Sequence, residues 1–424
     1  MTASPLNTLD DWLAWLETLS PHEIDLGLER VLEVLGRLDL EKPATVIHVA
    51  GTNGKGSCAA MLEALLRGAG GRTGCYTSPH LLHYNERIRI DGVPAGDAEI
   101  VSALETVESV RQGLPLTYFE FGTLAALVVF ERNRADTLVL EIGMGGRLDA
   151  VNAVEPDAGI ITNVDRDHCE WLGNDVETIA GEKAGIMRGG KPVVFGSTVI
   201  PAAITASAAK TGADLRILGR DFWYTQDPAR PELWNWRGRK IALEGIAVPS
   251  LAGRFQLQNA AAVLATLEAI ERRDVLTPDR VSETLQNLSL PGRFQWLERN
   301  RRWLLDVAHN PHAAAGLAES LSALRPRPAV TAIVGVMADK ELPGIVMPLV
   351  PYVKRWIAVT ARNRRALPAR ELAQSIAHLS NKPCLVADDL SQAMSFAEKQ
   401  AEEDEIILVT GSFYTVGPAL EALR

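Results

Sequence analysis

The chain has 424 residues, 47% hydrophobic and 23% charged, the balance of a globular protein large enough for two or three domains. Asp and Glu (53) outnumber Lys and Arg (43), giving a formal charge of −10. That sign repels phosphate backbones and anionic headgroups, which excludes a nucleic-acid or membrane-surface role but allows a local basic pocket. The four cysteines, Cys58, Cys75, Cys169 and Cys384, form no CxxC pair, which argues against a disulfide framework or a zinc site and fits a cytoplasmic protein.

Met1 to Asp11 lacks a basic n-region and an apolar h-region, so no targeting segment is expected. The longest uncharged stretch, between Lys191 and Lys210, contains Pro192 and Pro201. It reads as a strand, a turn and a small helix, since a bilayer span needs about 20 apolar residues.

In chain order, short β-branched runs end in glycine or polar residues and lead into helical patterns. Thr45–Ala50 before Gly51, Thr137–Ile142 before Gly143, Ala158–Thr162 and Lys191–Phe195 are the first set. Strands alternating with helices predict βαβ units and a mostly parallel sheet, with ligands at the carboxyl ends of the strands. Asp221 to Pro249, with Trp223, Trp234 and Trp236, predicts hairpins rather than a helix. Pro291-Gly292 marks a boundary. A second strand set follows, at 303–306, 329–334, 356–359, 384–387 and 405–409. The expectation is therefore α/β throughout, with residues 1–291 and 292–424 as two domains.

The strongest local signal is Gly51-Thr-Asn-Gly-Lys-Gly-Ser57, between a strand and the helical run that follows. Glycines let backbone N–H groups approach an anion, the helix N-terminus adds positive dipole, and Lys55 supplies a mobile cation. Ser57 can face a metal ion. The loop departs from the common G-x-x-x-x-G-K-[ST] spacing, since residue 49 is valine and Gly56 separates Lys55 from Ser57. Gly143-Met-Gly-Gly-Arg-Leu148 fails as a dinucleotide loop because Leu148 takes the sixth position. A tight turn carrying Arg147 and Asp149 toward a ligand fits it, and so does a purely structural turn.

Ser78, Glu141 and His168 fall at strand ends on the rim that carries this loop. Phosphate chemistry calls for Mg²⁺, which prefers hard oxygen donors, and an acidic residue closing an apolar strand is costly unless paired or metal-bound. Each also has a bland reading: a cap or turn residue, an ion-pair partner and a surface histidine. Lys183 alone reads as a solvated helix lysine. Asp306-Val-Ala-His-Asn-Pro-His312 gathers a carboxylate, two histidines and an amide after an apolar run, and a helix cap by Asn310 explains only part of that set.

Taken together, Gly51–Ser57, Thr77-Ser-Pro-His-Leu81, Glu141–Asp149, Asp167-His168, Glu182-Lys-Ala-Gly185, Pro291-Gly-Arg-Phe294 and Asp306–His312 stand in the order found in a known family. From Ile24 to Gly411 the sequence resembles the folylpolyglutamate synthase family of the Mur ligase superfamily, in its bacterial bifunctional dihydrofolate synthase/folylpolyglutamate synthase branch. Ser57 stands where many members have threonine, and Met144 where leucine is common. The resemblance implies a P-loop ATPase domain with a mostly parallel sheet, and a C-terminal Rossmann-like domain that ligates glutamate.

It further implies that Asn53, Gly54, Lys55, Gly56 and Ser57 hold ATP phosphates, with Asn259, Arg293 and Asp306 on the nucleotide. Ser78, Glu141 and His168 would hold Mg²⁺, and Lys183 would carry a CO₂-derived carbamate that binds a second ion. Ile24, Asp25, Leu26 and Gly27, then Thr117, Tyr118, Phe119 and Glu120, then Leu148, Asp149 and Ala150 would form the pterin-substrate pocket. His309 would orient glutamate or help remove its amine proton. The implied enzyme joins L-glutamate to dihydropteroate and to tetrahydrofolate through an acyl phosphate, as a cytoplasmic monomer. Three alternatives stand beside it: a monofunctional folylpolyglutamate synthase, a regulatory P-loop NTPase, and a catalytically dead folate-binding or nucleotide-binding module. A cell-wall Mur ligase is disfavoured, because only 50 residues precede Gly51.

Overall fold

The structure is a computed structural model that describes residues 6–20, 25–67, 70–251, 253 and 255–424. The chain divides into two compact units, one of residues 1–249 and 258–288, the other of 250–257 and 289–424. The short segment 250–257 thus groups with the second unit although it precedes Pro291.

The first unit is built on strands β1 (Thr45–Ala50), β2 (Thr73–Tyr76), β3 (Ile88–Ile90), β4 (Val93–Pro94), β5 (Thr137–Glu141), β6 (Ala158–Ile161), β7 (Pro192–Phe195) and β8 (Asp214–Ile217). They pair in the order β4-β3-β2-β5-β1-β6-β7-β8. The six strands from β2 to β8 in that order are parallel, and β3 and β4 form an antiparallel edge. Strand β5 is buried throughout and β1 is buried from Val46 onward, as central parallel strands covered on both faces must be. The helix Lys55–Leu66 leads from β1 to β2, two places away, while β6 lies on the other side of β1. The carboxyl end of β1 is therefore where the connections diverge, the place open α/β sheets bind ligands.

Helices pack on this sheet through faces set by their sequences. Leu9, Trp12 and Leu16 are buried at helical spacing on Leu9–Leu19, which opens with a Thr8–Asp11 capping box. Tyr118–Arg132 opens with a Thr117–Glu120 capping box and is apolar almost all round, so it is buried from Glu120 to Phe130. The expected hairpins appear as the antiparallel strands β9 (Trp223–Asp227), β10 (Arg230–Arg237) and β11 (Ala242–Ala247). Trp234 and Trp236 on β10 are fully buried, and Trp236 Nε1 donates to Ala261 O (3.1 Å) on the helix Phe255–Ala269.

The second unit carries strands β12 (Gln295–Glu298), β13 (Arg302–Leu305), β14 (Val330–Val334), β15 (Val353–Ala358), β16 (Cys384–Val386) and β17 (Ile406–Thr410). Their order is β12-β13-β17-β14-β15-β16, with β12 antiparallel and the others parallel. The expected α/β class holds in both units. No helix among the described residues is long and apolar enough to cross a membrane.

Strand β1 carries a buried polar residue inside its apolar run. His48, in the middle of β1, has no exposed surface and neither ring nitrogen is hydrogen-bonded. Burial, with Arg188 adding a repulsive charge, pushes its pKa from 6.5 to about 3. Between those values the unfolded chain binds a proton that the native state refuses, so stability falls as pH drops from 6.5 toward 3. His48→Leu is expected to flatten this acid limb in urea melts taken across that range. An unchanged pH dependence would contradict the assignment.

Candidate active site

The loop after β1 is held to the end of β6. Thr52 N–H donates to Asn163 O (3.1 Å), and Asn53 N–H to Asn163 Oδ1 (3.1 Å). The Asn53 carbonyl accepts from Thr162 Oγ1 (2.6 Å) and Asn163 Nδ2 (3.0 Å), and Thr52 Oγ1 exchanges bonds with the Asp165 main chain (2.9 and 3.1 Å). Two glycines make this fit possible. Gly51 has φ 144°, and a Cβ there would lie 1.8 Å from Thr162 Oγ1; Gly54 has φ 85°, and its Cβ would lie 2.7 Å from Asn259 Oδ1. Both positions therefore exclude side chains by conformation and by space. Lys55 opens the helix and folds its ammonium onto the carbonyls of Gly51 (3.1 Å) and Thr52 (3.2 Å).

Beside the loop, Glu141 closes β5 with only 4% exposure and accepts a hydrogen bond from Ser78 N–H (3.0 Å). Its oxygens lie about 4 Å from where a Cβ on Gly56 would stand, so this carboxylate faces the start of the loop's helix. His168 is further along the rim in a left-handed backbone conformation, φ 52°, with its amide donating to Asp167 Oδ1 (2.9 Å) and Nε2 4.0 Å from Oδ2. Among the described residues no three His, Cys, Asp or Glu side chains gather as a metal cluster. Ser78, Glu141 and His168 supply a hydroxyl, a carboxylate and an imidazole, a donor set that suits a hard divalent ion keeping some of its water.

Lys183 is not solvated. It is 4% exposed near the end of the helix Val176–Ala184. Burial first, then the Lys55 charge, push its pKa down to about 7, against the pull of Asp167 and Asp149. Asp149 is equally buried and pushed up to about 7 by desolvation, although Met144 N–H (2.8 Å), Val151 N–H (3.0 Å) and Lys55 favour its charged form. Lys55, Asp149, Asp167 and Lys183 thus interact as one group, and a large share of the Lys183 amine is neutral near pH 7. The Gly143–Asp149 turn serves structure as well. Arg147 pairs with Glu182 (2.8 Å), and Asp149 caps the short turn Ala150–Ala153, which Leu148 precedes.

Two of the other expected substrate residues, Asp25 and Glu120, meet at a cation outside the expected set, Arg30. Arg30 Nη1 contacts Asp25 Oδ2 (2.7 Å), and Arg30 Nη2 contacts Glu120 Oε1 (2.9 Å) and Asp25 O (2.9 Å). Glu120 also accepts from Thr117 N–H (2.7 Å) in the capping box. Tyr118 stacks edge-on against Tyr84 (6.0 Å) and Phe119 lies 5.9 Å from Tyr76. Leu26 and Gly27 lead from Asp25 to the helix that carries Arg30, and Ile24 lies outside the described residues. Arg30 and Glu120 are 90 residues apart, and no local pattern announces the pair. Asn163 is likewise absent from the expected site residues, although a polar residue just past the end of an apolar parallel strand is a signal that marks it.

In the second unit, Asp306 follows β13 and accepts from Phe294 N–H (2.9 Å) and Ala308 N–H (2.8 Å). Desolvation raises its pKa, and the Arg293 charge opposes that rise. His309 Nδ1 is 2.9 Å from Val307 O, which can only accept, so that nitrogen carries the proton. Arg293 lies 5.5 Å from the Phe413 ring and His309 5.9 Å from it, so the two gather on one aromatic. Asn310 caps the helix Pro311–Ala323, as expected.

Comparison with known proteins agrees with this geometry. Residues 49–267 match the Mur ligase middle domain, and residues 292–413 match the Mur ligase glutamate ligase domain. Dihydrofolate synthase/folylpolyglutamate synthase of Escherichia coli K12 is 38% identical over 422 residues, covering 99% of this chain and 96% of that protein. The chain belongs to the dihydrofolate synthase/folylpolyglutamate synthase family. The structure of E. coli FolC in complex with DHPP and ADP superposes with TM-score 0.91 at 36% identity, covering 99% of each chain. The Yersinia pestis bifunctional enzyme complexed with AMPPNP and Mn superposes with TM-score 0.89 at 39% identity over the whole of both chains.

The Arg30–Glu120 pair yields a stability prediction for this family member. Arg30→Ala leaves the buried Glu120 carboxylate without its cation and is expected to cost about 2–4 kcal/mol in chemical denaturation. Arg30→Lys should recover only part, since it cannot reach Asp25 and Glu120 together. A loss below about 1 kcal/mol, the scale of a surface ion pair, would contradict the pairing.

Proposed function

We propose that the protein joins L-glutamate to dihydropteroate, forming dihydrofolate, and to tetrahydrofolate and its polyglutamates, with ATP as the phosphoryl donor. The observation that carries this reading is the grouping of the Gly51–Ser57 loop, the Ser78–Glu141 pair and the buried Lys183 amine on one sheet rim, in a chain matched along its length by bifunctional enzymes.

In this reading the backbone N–H groups of Asn53 to Ser57 bind the phosphates, and Lys55 swings from the loop carbonyls to the anion. A divalent ion held by Ser78, Glu141 and His168 neutralises phosphate charge when bound. Asn259, Arg293 and Asp306 bind the rest of the nucleotide. Asp25, Leu26, Gly27, Thr117 to Glu120 and Leu148 to Ala150 seat the pterin side, with Ile24 assigned to the same pocket by resemblance alone. A carboxylate oxygen of the folate side attacks the γ-phosphorus, the bond to ADP breaks, and an acyl phosphate forms. The amine nitrogen of glutamate then attacks the acyl carbon, phosphate leaves, and the amine proton is lost with His309 oriented to assist. The neutral Lys183 amine could add CO₂ and lose a proton, and the resulting carbamate would give this buried position an anionic oxygen ligand for a second divalent ion. All substrates are small molecules, and the reading places the enzyme in the cytoplasm as a monomer.

The test is glutamate addition, read by product mass, with ATP, Mg²⁺ and L-glutamate. A one-glutamate increment on both dihydropteroate and tetrahydrofolate is expected. An increment on tetrahydrofolate alone would reduce the protein to a monofunctional synthase, and ADP without amide would leave a bare NTPase.

Lys183 carries a separate prediction. Protein equilibrated with ¹³C-bicarbonate should show a carbamate resonance that Lys183→Ala lacks, and the variant should lose about 10³-fold or more in kcat. Full activity in that variant, or the same resonance in it, would remove the carbamate from the mechanism.

A further inference from the structure

The helix Glu29–Leu38 carries a glycine that neither backbone nor packing requires. Gly36 lies within the helix, and a Cβ built on it would meet nothing within 4 Å. An interior glycine costs a helix about 1 kcal/mol against alanine, so the missing side chain works against the element that holds it. What it leaves open is a cavity of about 480 Å³, within the size range of small-molecule sites. Leu32, Leu35, Leu127, Phe130 and Leu138 give it an apolar wall.

The rim has a definite charge. Asp39, Glu41, Glu131 and Glu155 stand there against a single ammonium, Lys42. Glu155 is paired with Arg188, yet acid still exceeds base three to one among the rest. An open cavity that sets apolar side chains beside an excess of carboxylates selects a molecule with a compact hydrophobic body and one positive charge.

The cavity also lies on elements that matter elsewhere. Its wall comes from the helix Glu29–Leu38, the helix Tyr118–Arg132 and the end of the turn Ala150–Ala153. At their other ends these elements carry Arg30, the Thr117–Glu120 cap and Asp149. The ion pair between Arg30 and Glu120 ties the first two helices together at that end. We propose that the cavity is a binding site for a small aromatic or aliphatic amine, and that its occupancy weakens the seating of the folate-side substrate by wedging the two helices apart. The second half rests on the ligase reading given above.

The probe is tryptamine, titrated into the full-length protein by saturation-transfer NMR and calorimetry, with indole-3-propionate as the same ring carrying the opposite charge. Tryptamine should bind saturably, and indole-3-propionate about tenfold more weakly or not at all. Gly36→Trp, which puts an indole into the opening, should abolish tryptamine binding while melting cooperatively. Gly36→Leu serves as the plug if the tryptophan variant does not fold. Absence of saturable binding, equal binding of both probes, or tryptamine binding retained by a folded plug variant would overturn the site. Saturating tryptamine should raise the KM for dihydropteroate about fivefold and leave the KM for ATP unchanged; an unmoved dihydropteroate KM would overturn the coupling. Should the protein add glutamate to no folate, the ligase reading fails, while the binding arm still decides the site.

Discussion

The architecture of the site depends on one constraint, the seam between the loop after β1 and the end of β6. The main chain of Asn53 is held on both its N–H and its C=O by Thr162 and Asn163, and Gly51 lies too close to Thr162 for any side chain. A loop fixed in this way costs no reorganisation when an anion arrives, which is the condition under which backbone donors stabilise charge best. The same seam sets the start of the helix Lys55–Leu66, and with it the placement of Lys55 and Ser57. Because β1 is flanked by β5 and β6, Glu141 and the 163–168 segment are delivered to the same rim by sheet order alone.

Around that seam the protein concentrates charge in a dry place. Two lysines and two aspartates interact within the rim, and burial moves Lys183 and Asp149 toward each other in pKa, both to about 7. Such an arrangement works against stability, and perturbed groups of this kind collect where chemistry is done. The contrast within the chain is instructive. Glu120 is as buried as Glu141, yet it is satisfied by Arg30 and Thr117 and acts as a brace between helices. Glu141 accepts from Ser78 N–H and faces the start of the helix Lys55–Leu66.

Much of this was legible in the sequence where the signal is local. Thr45–Ala50 reads as a strand because it is a short β-branched run ending at a glycine, Gly51–Ser57 reads as a phosphate loop because glycines and a lysine stand between strand and helix, and Asn310 before Pro311 reads as a cap. The late strands fall within one to three residues of the expected ranges, with Asp306 placed just after β13 rather than within it. What was not legible depends on contacts between distant segments. Lys183 reads as a solvated helix lysine because nothing beside it reveals that the fold buries it within reach of the charges of Lys55, Asp149 and Asp167. Arg30 is invisible for the same reason, its partners lying 5 and 90 residues away. Arg147 reads two ways in the sequence, as a ligand-facing or a structural residue of a glycine-rich turn, and the pairing with Glu182, 35 residues on, is visible only in the structure.

The central claim is that the folate-side carboxylate is activated by phosphoryl transfer at the Gly51–Ser57 loop. It is tested most directly with dihydropteroate whose carboxylate oxygens are ¹⁸O-labelled, turned over with ATP, Mg²⁺ and L-glutamate and analysed by mass. An acyl phosphate hands one carboxylate oxygen to phosphate, so the inorganic phosphate released should carry one ¹⁸O per amide formed. Unlabelled phosphate alongside amide product would contradict the account, because the oxygen would then have left by a route that never passed through phosphorus.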